Sequence, residues 1–236
     1  MSVRRVGHKG ADLIAPGNTF ASFRAALAAG VDMIEFDVLP ERRDGGGELL
    51  LAHDFEDAAQ RSSHTLAEAL AHLAGDAYAG VELDVDLKLP GYEIRVLEAL
   101  EQQGLLERVL VSSMYAASLA TIRRRWPAVR LGWSVPRLVR NPMRRPHTAV
   151  AAVGMAEVLK RVLPARAARA LGAGEVDAIM AHWRLVTPRL ARAVREAGGE
   201  LYVWTVDDRR RIAQLVDLGV TGIITNDPRL FAPIPG

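Results

Sequence analysis

The chain has 236 residues, half of them hydrophobic and a quarter charged, which is a balance typical of a globular protein with ample material for a core. The formal net charge of +2 is too small to indicate a nucleic-acid partner, although the sequence pI is 9.2. The absence of cysteine excludes disulfides, thiolate metal sites and a cysteine nucleophile.

Short apolar runs alternate with helical patterns along the chain. The stretch "APGNTFASFRAALAAG" predicts a helix with Asn18 as its N-cap and Gly30 as its stop. A capping box of Thr65 and Glu68 opens a second helix, and Thr187 before a proline opens a third. The strands predicted between the helices are "RRVGH", "MIEFDV", "VELDVDLK", "RVLVSSM", "VRLGW", "DAIMAH", "ELYVWTV" and "TGIIT". Eight βα units close a TIM barrel, so we predict a single-domain (β/α)8 barrel over residues 1–236.

Two segments depart from this alternation. The run "ELLLAHD", residues 48–54, follows the second strand after a glycine-rich turn rather than after a helix. This pattern predicts a small β-hairpin extension, antiparallel to the second strand, that carries His53 back toward it. The Arg-rich region 136–174 is too long for a plain loop, and we predict a helical insertion over one end of the barrel.

The second strand, "MIEFDV", carries two carboxylates inside an apolar run. Because side chains alternate across a strand, Glu35 and Asp37 share one face while Ile34, Phe36 and Val38 share the other. A half-exposed strand with its polar face in water explains this segment as well as a functional site does. The segment alone leaves both interpretations open.

The third strand, "VELDVDLK", is more unusual. Its charged residues Glu82, Asp84, Asp86 and Lys88 all fall on one strand face. Four ionisable groups facing a barrel interior need a cation or mutual partners, whereas the alternative is a solvated edge strand.

Polar residues stand at the ends of several predicted strands. TIM barrels place their working residues at the carboxyl ends of the strands, so we expect these side chains to converge in one mouth. Three hard oxygen donors on neighbouring strands suit Mg²⁺ or Ca²⁺ better than a softer metal. An isolated histidine such as His8 is more often a surface residue than a functional one. The expected members of the mouth are His8, Lys9, Glu35, Asp37, His53, Asp84, Asp86, Lys88, Trp204 and Thr205.

Five motifs stand in order along the chain: "GHKGADLIAPGNT", "IEFDV", "LLLAHD", "VDLK" and "VWTVDD" with "GVTGIITNDP" after it. Together they resemble the glycerophosphodiester phosphodiesterase family, whose members are TIM barrels of the phospholipase C-like group. The match is strong in the amino-terminal third and near the carboxyl terminus, and weak between Tyr115 and Asp177. The resemblance implies a metal-dependent hydrolase that cuts glycerophosphocholine, glycerophosphoethanolamine or similar diesters to glycerol 3-phosphate and an alcohol.

The resemblance also implies a role for individual residues. His8 and His53 match the family's two histidines and would share general acid and base duties. Which histidine is the acid stays open, as does the choice between water and a substrate hydroxyl as the nucleophile. The implied ligands of Mg²⁺ or Ca²⁺ are Glu35, Asp37 and Asp86, and the implied substrate-binding residues are Lys9, Lys88 and Trp204.

Three positions depart from the family pattern. Lys9 stands where the family has arginine, and Gly17 stands where its Pro-Glu-Asn-Thr motif has glutamate; a lost base–acid pair would explain both changes. Lysine lacks the bidentate fork that suits a phosphate. Asp86 replaces a glutamate and shortens one metal ligand by a methylene. An active enzyme remains favoured, and the alternative from another class is a noncatalytic barrel that binds phosphate-bearing ligands.

The insertion suggests a second possibility for the substrate. A lid at a lipid surface would admit lysophospholipids and give a lysophospholipase D-like activity, although a solvated basic face is the favoured interpretation. No apolar segment suits a signal peptide or a membrane span, so we expect a soluble cytoplasmic protein with a small-molecule substrate and at most weak contact with membranes. The oligomeric state stays open. The arginines that suggest the lid are Arg137, Arg140, Arg144 and Arg145.

Overall fold

The structure is a computed structural model that describes residues 3–136 and 146–232, without the side chains of residues 146–153. Nine strands are described: β1 (Arg4–Gly7), β2 (Met33–Pro40), β3 (Leu49–Leu50), β4 (Glu82–Leu87), β5 (Val109–Ser113), β6 (Arg130–Val135), β7 (Ala178–His182), β8 (Glu200–Trp204) and β9 (Gly222–Thr225). All except β3 pair in parallel, and β1 pairs with both β2 and β9, so the ring is closed. The predicted (β/α)8 TIM barrel is confirmed.

Helices surround the ring: α1 (Phe20–Ala28), α2 (Phe55–Gln60), α3 (Leu66–Leu73), α4 (Glu93–Gln102), α5 (Ala116–Arg125), α6 (Pro146–Gly172), α7 (Pro188–Glu196) and α8 (Arg209–Asp217). The capping box of Thr65 and Glu68 opens α3, and Thr187 caps α7 as predicted. Short 3-10 turns follow at Asp76–Tyr78, Leu106–Arg108, Trp183–Leu185 and Pro228–Phe231. Among the helices described, none combines the length and apolar character needed to cross a lipid bilayer.

The first helix begins one residue later than predicted. Thr19, and not Asn18, is its N-cap, since Thr19 is extended and its hydroxyl accepts a hydrogen bond from the backbone N–H of Ser22. Asn18 has a positive φ of 57° and is fully buried. The prediction of Asn18 as the cap is wrong because its side chain turns inward, toward β2.

Strand β2 has two faces, as its alternation predicts, and both are buried. Ile34, Phe36 and Val38 face outward into the core between barrel and helices, where the rings of Phe36 and Phe23 lie 5.8 Å apart. Met33 packs inside the barrel, and Glu35 and Asp37 share its face. The half-exposed strand is therefore the wrong interpretation.

Strand β4 lies between β2 and β5, so it is not a solvated edge strand. At its amino end, Glu82 pairs with Arg4 at 3.3 Å and with Arg130 at 2.8 Å, and Arg4 also pairs with Glu200 at 3.2 Å. This ring of ion pairs fills the amino-terminal end of the barrel. The remaining charges of the strand lie toward the other end, where a TIM barrel carries its active site.

The hairpin extension is present but short. Strand β3 pairs antiparallel with the end of β2, with Leu50 opposite Leu39 and Leu49 opposite Pro40. The strand has only two residues, so His53 lies in the loop that leads to α2 rather than in the strand.

The insertion contains one long helix. In α6, the buried residues Leu163, Ala167 and Leu171 pack inward, and the helix lies against α7 as the crossover between β6 and β7. The described second half of this helix therefore belongs to the helical ring and does not cover a barrel end. Residues Arg137, Arg140, Arg144 and Arg145, on which the lid hypothesis rests, lie outside the described residues.

Candidate active site

The strand register brings the predicted metal ligands together. Glu35 lies beside Asp84 and Asp37 lies beside Asp86 on the paired strands β2 and β4. One carboxylate oxygen from each of Glu35, Asp37 and Asp86 lies within 4.8 Å of the others. These three residues form the acid cluster of the site.

Burial and nearby negative charge raise the pKa of Glu35 and of Asp84, which lies beside Glu35 on the neighbouring strand. For Glu35, burial and then the nearby charge of Asp37 raise the pKa well above its usual value. For Asp84, burial and then the nearby charge of Asp86 raise the pKa to about 8, which favours the neutral form of this carboxyl group. Asp84 was expected in the barrel mouth but received no catalytic or ligand role; it lies in the same cavity as Asp86, two residues away on β4.

Lys88 neutralises part of the acid cluster. Its Nζ lies 2.5 Å from Asp37 Oδ1 and 2.6 Å from Asp86 Oδ2. Burial opposes the charge of Lys88, but Asp37 and Asp86 outweigh burial and raise its pKa well above the usual value. Burial acts to raise the pKa of Asp37, but the charges of Lys88, His53 and His8, with the hydrogen bond from Lys88, together outweigh burial and lower that pKa. Lys88 is therefore a permanent ammonium at the centre of the site.

Asn18 fixes the position of Asp37, one of the three carboxylates of the acid cluster. Its Nδ2 donates to Asp37 Oδ2 at 2.9 Å, and the backbone N–H of Asp37 donates to Asn18 Oδ1 at 3.1 Å. This two-way contact fixes the orientation of Asp37 before any ligand binds. Sequence analysis assigned Asn18 to a helix cap and missed this role.

His8 follows β1 and points an available nitrogen at the acid cluster. Asn226 donates from Nδ2 to Asp207 Oδ2 at 2.6 Å, so its Oδ1 faces His8 Nδ1, also at 2.6 Å. A carbonyl oxygen accepts, which places the His8 proton on Nδ1 and leaves Nε2 as an acceptor, 3.9 Å from Glu35 Oε2. Burial lowers the pKa of His8 and favours this neutral form.

His53 lies on the open side of the same cavity. Its side chain is half exposed, and its Nδ1 lies 3.1 Å from Asp54 Oδ2. Its backbone N–H donates to Asp57 Oδ2 at 3.0 Å, which ties the loop to α2. The two predicted histidines therefore line one cavity although they come from different loops.

The cavity has a volume of about 170 Å³ and two unlike walls. The charged wall carries the histidines, the carboxyl groups and Lys88. The opposite wall is uncharged, and the Nε1 of Trp204 is fixed there by donating to the carbonyl oxygen of Met180 at 2.8 Å. Residues of this second wall include Ser112, Met114, Ser134, Met180, Trp204 and Thr205.

Lys9 is close to the cluster but its ammonium is already paired. Its backbone N–H donates to Glu35 Oε2 at 2.7 Å, while its Nζ donates to Asp12 Oδ2 at 2.9 Å. A Cβ added to Gly17 would meet Asp12 Oδ1 at 2.5 Å and Lys9 Cβ at 2.8 Å. Asp12 thus fills the space of a side chain at position 17. The base–acid pair is not lost but comes from a different residue, which sequence analysis missed.

The acid cluster fits a hard divalent cation. Asp86 Oδ1 is buried and has no hydrogen-bond partner among the described residues. An unpaired buried carboxylate oxygen beside two further carboxylates is an incomplete polar site that an oxygen-binding cation would satisfy. The donor set contains no sulfur, which agrees with Mg²⁺ or Ca²⁺ rather than a soft metal.

Strands that deliver acidic and basic side chains to one cavity at their carboxyl ends define this protein as an enzyme of the TIM-barrel class. The model of the glycerophosphoryl diester phosphodiesterase family matches residues 8–56 and 54–230. The chain therefore belongs to this family, as its five motifs indicate.

Related proteins cover nearly the whole chain. A glycerophosphodiester phosphodiesterase of Caldanaerobacter subterraneus is 24% identical over 94% of this chain and 93% of its own length. One from Bacillus subtilis is 26% identical over 96% of this chain and 84% of its own length.

Solved structures share the fold. A glycerophosphodiester phosphodiesterase from Agrobacterium tumefaciens aligns with a TM-score of 0.68 and 20% identity, covering 98% of this chain and 100% of its own. An Oleispira antarctica phosphodiesterase in complex with the product sn-glycerol-3-phosphate aligns with a TM-score of 0.69 and 20% identity, covering 97% and 94%.

Proposed function

We propose that this phosphodiesterase hydrolyses glycerophosphodiesters, such as glycerophosphocholine or glycerophosphoethanolamine, to glycerol 3-phosphate and an alcohol. The observation that carries the proposal is the convergence of three carboxylates, two histidines and a lysine on one small cavity. Glu35, Asp37 and Asp86 would hold Mg²⁺ or Ca²⁺. The names of the relatives and the product bound to the Oleispira enzyme support the substrate class. The pairing of β1 with β9 supports one functional domain over residues 1–236.

The residues around the acid cluster suit the charge changes of phosphodiester cleavage. A bound divalent cation would neutralise negative charge that develops on the nonbridging oxygens. Lys88 contributes a fixed ammonium beside the same carboxylates, so the phosphate would meet a positive region rather than bare acids. Trp204 lies on the uncharged wall, where it would contact the alcohol part of the substrate.

The two histidines have different environments, and we assign them different roles. His8 keeps Nε2 free of a proton because Asn226 fixes its tautomer, so His8 is suited to accept the proton of the nucleophile. His53 lies at the exposed edge, where it can exchange protons with solvent and protonate the departing alcohol. The attacker is water or a neighbouring hydroxyl of the substrate.

Replacing His53 with alanine is expected to reduce glycerophosphocholine cleavage by roughly 10²- to 10⁴-fold, since general acid catalysis contributes about that much. A diester of glycerol phosphate with 4-nitrophenol needs no protonation of its leaving group, so its cleavage should fall far less. Replacing His8 should impair both substrates. The measurement is initial rates for both substrates with each variant.

If His53→Ala lowered the rates for the two substrates by the same factor, the assignment of His53 as the general acid would be wrong. A noncatalytic phosphate-binding barrel would give no turnover of either substrate, before or after the substitution, and phosphate binding would persist. Lysophospholipids in the same assay test the lysophospholipase D-like alternative.

Asp12 and Gly17 supply a second test of the site. In Asp12→Ala, Lys9 loses its partner and we expect turnover to fall about tenfold, the effect of one misplaced supporting contact. Adding Gly17→Glu to Asp12→Ala should restore most of the rate, because the new carboxylate enters the space that Asp12 leaves. Gly17→Glu alone should be more harmful than the pair. Additive losses in the double variant would show that the two positions do not exchange roles.

A further inference from the structure

The outer helices leave a cleft between α5 and α6. Helix α5 packs on α4 and α6 packs on α7, whereas a cleft of about 540 Å³ separates α5 from α6 above strand β6. This volume is within the range of small-molecule sites. Trp133 lines the cleft from outside the barrel, while the next residue, Ser134, lines the catalytic cavity inside it. The cleft is therefore a separate site on the outer surface.

The base of the cleft is apolar. Leu119 and Val176 are buried there beside Ala170, and Ala120 continues the surface along α5. The indole of Trp133 completes this floor, with the guanidinium of Arg166 stacked 5.3 Å from its ring centroid. An apolar floor of this length has more surface than a small inorganic ion could cover.

The rim of the cleft carries uncompensated positive charge. Arg123 is paired with Asp177 at 2.5 Å. In contrast, Arg124, Arg166 and Arg169 have no carboxylate within ion-pair distance in the part of the chain that the structure describes. Glu175 is the single acidic residue in the described lining. Three guanidinium groups above an apolar floor match a ligand that is negative at one end and apolar at the other.

We propose that the α5–α6 cleft binds an amphiphilic anion, with a phosphate or carboxylate head at Arg166 and Arg169 and an apolar chain on Leu119 and Trp133. The guanidinium group of arginine can form two parallel hydrogen bonds with a phosphate or a carboxylate. A neutral amphiphile lacks such a head group, so the arginines would select the anionic ligand. The chain displaces water from the apolar floor. This site is separate from the catalytic cavity, so the proposal stands independently of the proposed function.

Calorimetric titration of the full chain tests the proposal, with dodecyl phosphate and laurate as probes, each below its micelle concentration. We expect saturable binding of at least one probe, and dissociation constants roughly tenfold or more higher in Arg166→Gln/Arg169→Gln, since a tenfold change needs only about one lost charge-assisted contact. Ala120→Trp should weaken binding to a similar extent by filling the floor without changing charge. The matched control is Arg189→Gln/Arg192→Gln, which removes two exposed arginines of α7 and should leave affinity within about twofold.

Inorganic phosphate and dodecyl maltoside separate the two halves of the ligand. Inorganic phosphate lacks the apolar chain, and dodecyl maltoside lacks the negative charge. Both are therefore expected to bind much more weakly than the probes. The proposal is overturned if neither probe saturates by about 1 mM, a concentration that corresponds to weak binding. It is also overturned if the Arg166→Gln/Arg169→Gln protein binds the probes as tightly as the unmodified chain, or if dodecyl maltoside binds equally well.

Discussion

Replacing Glu35 with glutamine is expected to reduce the release of glycerol 3-phosphate by about a thousandfold or more, because a loss of roughly 4 kcal/mol of charge stabilisation corresponds to that factor. Glutamine has the same size but offers a neutral oxygen, so affinity for Mg²⁺ or Ca²⁺ should fall together with the rate. Stability should not fall, because Glu35 is a buried carboxyl beside Asp37 and Asp84. The measurements are initial rates, metal titration and urea unfolding.

The matched control for this substitution is Glu196→Gln, which changes an exposed glutamate of α7 and should leave all three quantities unchanged. Full activity of Glu35→Gln would contradict the role of the acid cluster. A loss of activity together with a large loss of stability would show that Glu35 supports the fold instead.

Replacing Lys88 with methionine is expected to destabilise the protein, in contrast to the substitution of Glu35. Removing the ammonium leaves the buried carboxylates of Asp37 and Asp86 without their shared partner. Breaking a buried ion pair from one side costs about 3–5 kcal/mol, so the free energy of unfolding should fall by that amount and turnover should be lost. Urea unfolding with and without a divalent cation measures the effect. The cation should recover more stability in the variant than in the unmodified chain, because the carboxylates lose their competing ammonium.

The exposed pair of Lys160 and Glu157 provides the control for Lys88. Its atoms lie 2.6 Å apart on the surface of α6. A solvated pair of this kind contributes little, so Lys160→Met should change stability by less than about 0.5 kcal/mol. If Lys88→Met cost no more than this control, the ammonium would not be holding the acid cluster together.

Local patterns in the sequence were sufficient to predict the barrel and to place acidic side chains on the inner faces of two neighbouring strands, whereas the choice of Asp86 as the third ligand came from the family resemblance. Alternation places Glu35 and Asp37 on one face of β2, and the same rule places Asp86 and Lys88 on one face of β4. Parallel pairing then brings the two strands into contact. These features depend on periodicity and on the general location of TIM-barrel sites, both of which are visible in a single chain.

The supporting residues could not be predicted in the same way. The orientation of Asn18 depends on a positive φ in a turn, which turns its side chain away from the helix it precedes. Asn226 reaches His8 from the far end of the chain, and no local pattern records that contact. Asp12 compensates for Gly17 only because the loop folds back on itself. In each case the contact depends on tertiary structure rather than on local preference.

The most direct test of the metal-dependent phosphodiesterase is release of glycerol 3-phosphate from glycerophosphocholine by the purified protein, first in EDTA and then with Mg²⁺ or Ca²⁺ restored. We predict that release stops in EDTA, returns with one or both cations, and does not return in Glu35→Gln. Release that continues undiminished in EDTA would contradict the role of the acid cluster, and no release with any cation or head group would contradict the proposed substrate class.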